Sequence, residues 1–164
     1  MIFAGCTSLG LSLSNRLAAR QRALAKLIEI LVNLKSQICG LGIPLSTAFE
    51  NIGRMQAEGV WAHVFLTCSK NMKEERIDAG EAWKKALIQN KDMLPLEESD
   101  FDVLMDLGEM LGKSDRHNQE SVLDLEKEKL ATLATKAKEA LETKGKLYRN
   151  MGALTGAAMV ILLI

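Results

Sequence analysis

The stretch from Leu9 to Cys39, LGLSLSNRLAARQRALAKLIEILVNLKSQIC, decides the fold class of this chain. It contains no proline and no cluster of turn residues, and its large apolar residues recur at intervals of three, four or seven. This spacing places them along one face of an α-helix and the charged residues along the other. The stretch therefore predicts one long amphipathic helix. Its apolar stripe comprises Leu17, Leu24, Ile28, Leu31, Leu34 and Ile38, and its charged face comprises Arg20, Arg22, Lys26, Glu29 and Lys35.

Glycine and proline are expected to end this helix and to begin the next. Gly40 and Gly42 follow it, and glycine accepts the left-handed conformation common at helix C-termini. Pro44 suits the first turn of a second helix, which we expect to end at Gly53. The chain has only two prolines in 164 residues and is rich in Leu, Ala, Lys, Glu and Met. This composition predicts an all-α protein.

The second and fourth predicted helices share one pattern. A third helix is expected over residues 60–76 and a fourth over residues 80–89. Each of the two short helices is predicted to follow a glycine stop and to bury residues at the same spacing, which favours stacked helical hairpins. The two patterns are Gly42-x-x-Leu45-x-x-Ala48-Phe49 and Gly80-x-x-Trp83-x-x-Ala86-Leu87, and the third helix is expected to bury Trp61, Val64, Phe65, Cys68 and Met72.

Two further helices complete the predicted bundle. Acidic and capping residues at 97–100 are expected to begin the fifth, in which Gly108 lies where the backbone meets a neighbouring helix. Gly112 is expected to end it in the left-handed conformation, and Asp115 to cap the sixth. The sixth runs without proline to the end of the chain, antiparallel to the first. The predicted fold is therefore a six-helix antiparallel bundle whose long first and last helices run into membrane anchors. The fifth helix is expected to bury Phe101, Leu104, Met105, Gly108 and Leu111. In the sixth, alanines allow a close helix neighbour, and the residues that follow three/four spacing are Leu130, Leu133, Ala137, Ala140 and Lys144.

The last fourteen residues, Met151 to Ile164, carry no charge. A helix of that length measures only ~21 Å, but its aliphatic residues favour insertion into a bilayer and no charge opposes it. The alternative is a C-terminal helix docked in a soluble core, which normally shows a polar face. We expect a membrane anchor at residues 150–164. The residues expected at its polar boundary are Lys146, Tyr148 and Arg149.

The first fourteen residues are also uncharged and are followed by Arg16. We expect a second, weaker and incomplete anchor at residues 1–14. Lipidation at Cys6 is the alternative, but too few residues precede it for a signal peptide. Because basic residues flank both ends on their inner sides, residues 15–149 are expected to form a cytoplasmic domain.

The sequence contains no recognisable catalytic or metal-binding pattern. Its 21 basic and 21 acidic residues balance, so the whole-chain charge favours neither nucleic acid nor an acidic substrate. His63 and Cys68 lie five apart, on different helix faces, and we expect a partly buried histidine and a core thiol. The sequence DLEKEKL is typical of a solvated helix face. We predict no enzymatic activity, no cofactor and no metal. Five methionines fit either core filling, which we favour, or an adaptable binding surface: Met55, Met72, Met93, Met105 and Met110.

The stretch FDVLMDLGEMLGKSDRHNQ resembles the stage III sporulation protein AB family of endospore-forming bacteria. The resemblance extends over essentially the whole chain and includes the stretch from Gly42 to Ala48. The glycine-spaced hairpins are also similar to the cytoplasmic domain of type II secretion F platform proteins. Those proteins carry two copies of this domain, whereas this chain carries one. The matching residues of the first stretch are Phe101, Leu104, the run from Leu107 to Gly112, Asp115, Arg116 and Gln119, and those elsewhere are Ala82, Trp83, Tyr148, Gly152 and Leu154.

The resemblance implies a platform in the outer forespore membrane, on the mother-cell side, within the channel complex between mother cell and forespore. Its implied partners are a secretion-type ATPase (the sporulation protein AA), other channel subunits, the lipid bilayer and further copies of the chain. The alternatives are a membrane-attached adaptor or signalling module unrelated to transport, and an enzyme with an unrecognised site. The turn farthest from the bilayer is expected either to be an ordinary solvated turn or to meet the ATPase. Its charged residues are Glu109, Lys113, Asp115, Arg116 and His117.

Overall fold

Six α-helices make up most of the chain in a computed structural model, which describes residues 2–56, 59–113, 118–145, 147 and 151. A π-helical turn, Ser36–Gly40, extends the first helix, and another, Leu141–Gly145, follows the last. The described residues contain no β-strand, which confirms the predicted all-α class. The helices are α1 (Ile2–Lys35), α2 (Leu45–Met55), α3 (Val60–Glu74), α4 (Ala79–Gln89), α5 (Glu98–Lys113) and α6 (Gln119–Ala140).

The chain divides into two compact units. Unit 1 comprises Met1–Arg22 and Leu133–Ile164, and unit 2 comprises Ala23–Thr132. Both α1 and α6 therefore contribute residues to each unit. The boundaries of these units differ from the predicted domain boundaries at residues 14/15 and 149/150. The predicted division into two membrane anchors and a cytoplasmic domain stays a prediction.

Unit 2 is a stack of antiparallel helical hairpins, as the repeated pattern predicts. Helix α2 packs on α3, α3 on α4, and α4 on α5. The core between them holds three aromatic rings, those of Phe49, Phe65 and Trp83, whose centroids lie 5.3 to 6.2 Å apart. Trp83 also donates a hydrogen bond from Nε1 to the Leu104 carbonyl oxygen at 2.7 Å, which links α4 to α5. Trp61 Nε1 similarly donates to the Ala23 carbonyl oxygen at 2.9 Å.

Two glycines allow helices to approach closely. A Cβ added to Gly108 would lie 2.9 Å from Trp83 Cδ1 and 3.3 Å from the Gly80 carbonyl oxygen, so the expected close contact at Gly108 is present. Gly53 was predicted to end α2, but it lies inside that helix, where an added Cβ would lie 2.6 Å from Leu66 Cγ. Gly80 likewise lies inside α4 and is not a stop. Gly53 is therefore a packing glycine, a use that a sequence cannot distinguish from a stop.

The observed helix ends correct other predictions. Gly42 has a φ of 67°, which confirms the left-handed turn after the first helix, and Pro44 immediately precedes α2. Gly112, however, lies within α5, which continues to Lys113. Arg76, which we expected in the third helix, has a φ of 56° in the turn before α4. That turn ends at Asp78, whose side chain caps α4 by accepting a hydrogen bond from the Glu81 N–H.

Several side chains lie elsewhere than their pattern predicts. Met55 and Met93 are exposed rather than in the core, and His63 is also exposed. Glu126, in the supposedly solvated DLEKEKL face, is fully buried. Its Oε1 accepts a hydrogen bond from Lys129 Nζ at 2.7 Å, while its Oε2 has no partner. Helical periodicity alone therefore misassigned both apolar and charged residues.

Unit 1 brings the two ends of the described chain together. A Cβ added to Gly145, after α6, would lie 3.4 Å from Ser14 Oγ on α1. This proximity agrees with the predicted antiparallel pairing of the first and last helices. Arg20, expected on the charged face of the first helix, is instead buried, and Lys144 is exposed.

Among the helices of the described residues, none combines the length and the apolar character needed to cross a bilayer. These helices include α1, which contains the predicted, incomplete anchor at residues 1–14. The predicted C-terminal anchor lies outside the described residues except for Met151.

Candidate functional site

The predicted partner-binding tip lies largely outside the described residues. Asp115, Arg116 and His117 fall there, and Lys113 is described only as the last residue of α5. Glu109 is exposed, and its Oε1 accepts a hydrogen bond from Lys84 Nζ on α4 at 3.0 Å. At the other end of the chain, Arg16 is an exposed residue of α1, while the boundary residues Lys146, Tyr148 and Arg149 also lie outside the described part.

An ion-pair fork joins the end of α1 to the start of α6, at the same end of unit 2. Lys35 Nζ lies 2.7 Å from Asp124 Oδ2 and 3.0 Å from Glu120 Oε1. Hydrogen bonds that Lys35 donates to Asp124 and Glu120 hold the pKa of Lys35 above its ordinary value, and the hydrogen bond that Asp124 accepts from Lys35 holds the pKa of Asp124 below its own. The α1–α2 turn and the start of α6 are therefore neighbours.

The Lys35 fork predicts a stability difference that depends on pH. Because the pKa of Asp124 is lowered in the folded state, its contribution is present above the ordinary value of 3.8 and is lost as pH falls through the folded value. Because the pKa of Lys35 is raised, its contribution is present below 10.5 and is lost as pH rises through the folded value. Asp124→Asn should therefore lower the melting temperature near neutral pH, and that difference should shrink in strong acid and in high salt.

Glu29→Gln is the matched control for this experiment, because Glu29 is exposed and pairs with Lys26 within the same helix. It should change the melting temperature little, since a surface pair of this kind contributes about 0–1 kcal/mol. A melting-temperature difference for Asp124→Asn that persists unchanged below pH 3 would contradict the assigned charge pairing.

The α1–α2 turn beside this fork is exposed and apolar. The six residues from Cys39 to Pro44 carry no charged, amide or hydroxyl side chain, and every one is exposed or half-buried. Leu41 is 73% exposed. We expected only helix-ending glycines at this position. The signal that could have revealed this apolar surface is a run of six residues between two helices without a charged, amide or hydroxyl side chain.

Unit 2 shows no catalytic arrangement among its described side chains. Cys68 is buried, and burial raises the pKa of its thiol, which disfavours the reactive thiolate. No group of three or more potential metal ligands is present in the described ranges. A cleft of about 250 Å³ between α1 and α2, lined by Lys26, Glu29 and Met55 among others, is smaller than a typical small-molecule site.

The balanced charge of the chain conceals opposite charges in its two units. Unit 1 contains eight Lys and Arg against two Asp and Glu, a formal charge of +6. Unit 2 contains 13 Lys and Arg against 19 Asp and Glu, a formal charge of −6. The two units therefore suit partners of opposite sign.

The model of the stage III sporulation protein AB family matches this chain over residues 1–164. The chain belongs to that family. It is 28% identical over 163 residues to stage III sporulation protein AB of Bacillus subtilis (strain 168), a match that covers 99% of this chain and 95% of the relative. The family is a sporulation family and not a known enzyme family.

A solved structure of stage III sporulation protein AB is similar to this family member in fold as well as in sequence. The two superpose with a TM-score of 0.69 at 29% identity, over 76% of this chain and 97% of the other. The comparison confirms the family that the sequence resembles and supports a role in sporulation for this chain.

Proposed function

We propose that this family member is a non-enzymatic membrane platform of the mother cell–forespore channel complex. In this proposal unit 1 holds the chain at the outer forespore membrane, and unit 2 meets a secretion-type ATPase and other channel subunits in the mother-cell cytoplasm. The observation that carries the proposal is that unit 1 combines both chain ends with a charge of +6.

The composition of unit 1 suits a bilayer surface. Residues 1–14 and 151–164 are uncharged, and the basic residues adjoin them on their inner sides. Each Lys or Arg close to an anionic leaflet contributes about 1 kcal/mol of attraction. Because cytoplasmic flanks carry the excess of basic residues, this arrangement supports a cytoplasmic position for unit 2. The described and exposed basic residues of unit 1 are Arg16, Arg22, Lys136, Lys138 and Lys144.

The charge of unit 2 suits a different surface. At −6 it is repelled by the anionic leaflet that attracts unit 1. Unit 2 is a rigid hairpin stack without an evident catalytic group among its described residues, as expected of a scaffold that binds proteins.

Thiol labelling tests the topology, because Cys39 is exposed and Cys68 is buried. The experiment uses a full chain carrying Cys6→Ser and Cys68→Ala, expressed in a bacterial host. A membrane-impermeant maleimide should leave Cys39 unlabelled in right-side-out spheroplasts and label it in inverted membrane vesicles. The chain should also stay with the membrane after carbonate extraction.

A chain that also carries Cys39→Ser is the control for nonspecific labelling. Labelling of Cys39 in spheroplasts would contradict the proposed topology, because it would show that Cys39 lies on the outer side of the membrane. Release of the chain by carbonate would instead indicate a peripheral protein, because alkaline carbonate removes proteins that electrostatic attraction alone holds at the membrane.

A further inference from the structure

The six residues from Cys39 to Pro44, which we name the apolar turn, differ from an ordinary surface loop. Water-exposed turns normally carry polar side chains, and a run of consecutive exposed apolar residues is unfavourable unless it has a function. Single exposed leucines are common on protein surfaces, but the apolar turn is continuous over six residues. Its composition therefore indicates a contact surface.

Hydrogen bonds hold the apolar turn in one conformation. The Leu41 N–H donates to the Ser36 carbonyl oxygen at 3.1 Å, and the Ile43 N–H donates to the Gln37 carbonyl oxygen at 3.0 Å. The Gln37 side chain donates to Asn33 Oδ1 at 2.8 Å and accepts from Asn51 Nδ2 at 3.1 Å, which ties the turn to α2. Because this backbone is already ordered, a partner that binds Leu41 incurs little of the entropy cost of ordering a loop.

The surroundings of the turn indicate the sign of its partner. Glu120, which is exposed, and Asp124, which is half-buried, pair with Lys35 at the end of α1, four residues before Cys39. Unit 2 as a whole carries −6, so its field attracts a basic surface. Contact with unit 2 of a second copy would instead bring together two units that each carry a formal charge of −6, and they would repel each other.

We propose that the apolar turn is the docking element of unit 2 for a partner protein with an apolar pocket bordered by Lys and Arg. In this interface Leu41 fills the pocket and the acidic residues of unit 2 face its basic border. The proposal rests on the platform function proposed above, in which this partner is the ATPase.

The test measures binding of the full chain, in lipid nanodiscs, to the purified ATPase subunit at low and at high salt. Leu41→Asp should weaken binding on the order of tenfold or more, as expected for the central anchor of an interface. Ile88→Asp is the matched control, because Ile88 is 64% exposed on α4. It should change the Kd less than about twofold. Both variants should keep the unmodified melting temperature, and high salt should weaken binding of the unmodified chain.

The outcomes separate this proposal from the platform function. If the unmodified chain binds the ATPase and Leu41→Asp binds equally well, the docking element is wrong and the platform stands. If the unmodified chain does not bind, a photo-cross-linking residue at position 41 in sporulating cells identifies the contact. A cross-link to another channel subunit retains the docking element and rejects the ATPase. A cross-link to lipid or to a second copy, or none at all, overturns the docking element.

Discussion

Replacing Trp83 with alanine should lower the free energy of unfolding of unit 2 by about 3–5 kcal/mol, the usual cost of truncating a buried tryptophan. Trp83 is fully buried, and its ring contacts the rings of Phe49 and Phe65. The substitution leaves a cavity between α3, α4 and α5 and removes the hydrogen bond to the Leu104 carbonyl oxygen. Denaturant titration of the full chain in detergent, followed by circular dichroism, measures the loss.

Trp83→Phe separates packing from hydrogen bonding at this position. It keeps an aromatic ring but removes the Nε1–H donor, so it should cost less, about 1–2 kcal/mol. Equal losses for Trp83→Ala and Trp83→Phe would show that the hydrogen bond, rather than the aromatic cluster, stabilises the contact between α4 and α5.

Replacing Gly108 with leucine should cost about 3 kcal/mol, at the upper end of the range for overpacked cores. Even a Cβ at this position would lie 2.9 Å from Trp83 Cδ1 and 3.0 Å from Lys84 Cγ. Trp83 is fully buried and cannot move aside, so α4 and α5 must separate. The same denaturant titration measures the effect.

Gly40→Leu is the control for the general effect of replacing a glycine. The nearest atom to a Cβ at Gly40 is Ser36 Oγ at 3.9 Å, so the new side chain has open space. It should change the free energy of unfolding by no more than about 0.5 kcal/mol. A Gly108→Leu chain as stable as Gly40→Leu would mean that α4 and α5 are not in close contact at this position.

The sequence predicted the helices well because their periodicity is a local property. The predicted stripes of α1 and α5 include buried residues such as Leu24, Leu31 and Leu104, although that of α1 omits the buried Leu27 and Ile30. The turn at Gly42 was also predictable, since few residues other than glycine adopt its φ. These features depend on residues within one or two helical turns of each other.

Features that depend on distant contacts were not predictable. Gly53 resembles a helix stop in the sequence, and only the neighbouring helix shows that it is a packing position. Glu126 has the same local pattern as its exposed neighbours, yet it is fully buried. Of the two proposed contact surfaces, the charged tip was proposed from the charges in the sequence. Leu41 was not singled out, because the residue type of a single leucine does not show whether its side chain is exposed.

The ion pair between Lys35 and Asp124 joins residues 89 positions apart. Bringing such distant parts of a flexible chain together costs about 4 kcal/mol of loop-closure entropy. A partly exposed ion pair contributes too little to offset that cost. Burial of a leucine contributes about 1.5–3 kcal/mol, so the fully or nearly fully buried leucines of α1 and α6 must close unit 2. The fork sets which residues meet, and these leucines supply the free energy: Leu24, Leu27, Leu31, Leu34, Leu123 and Leu130.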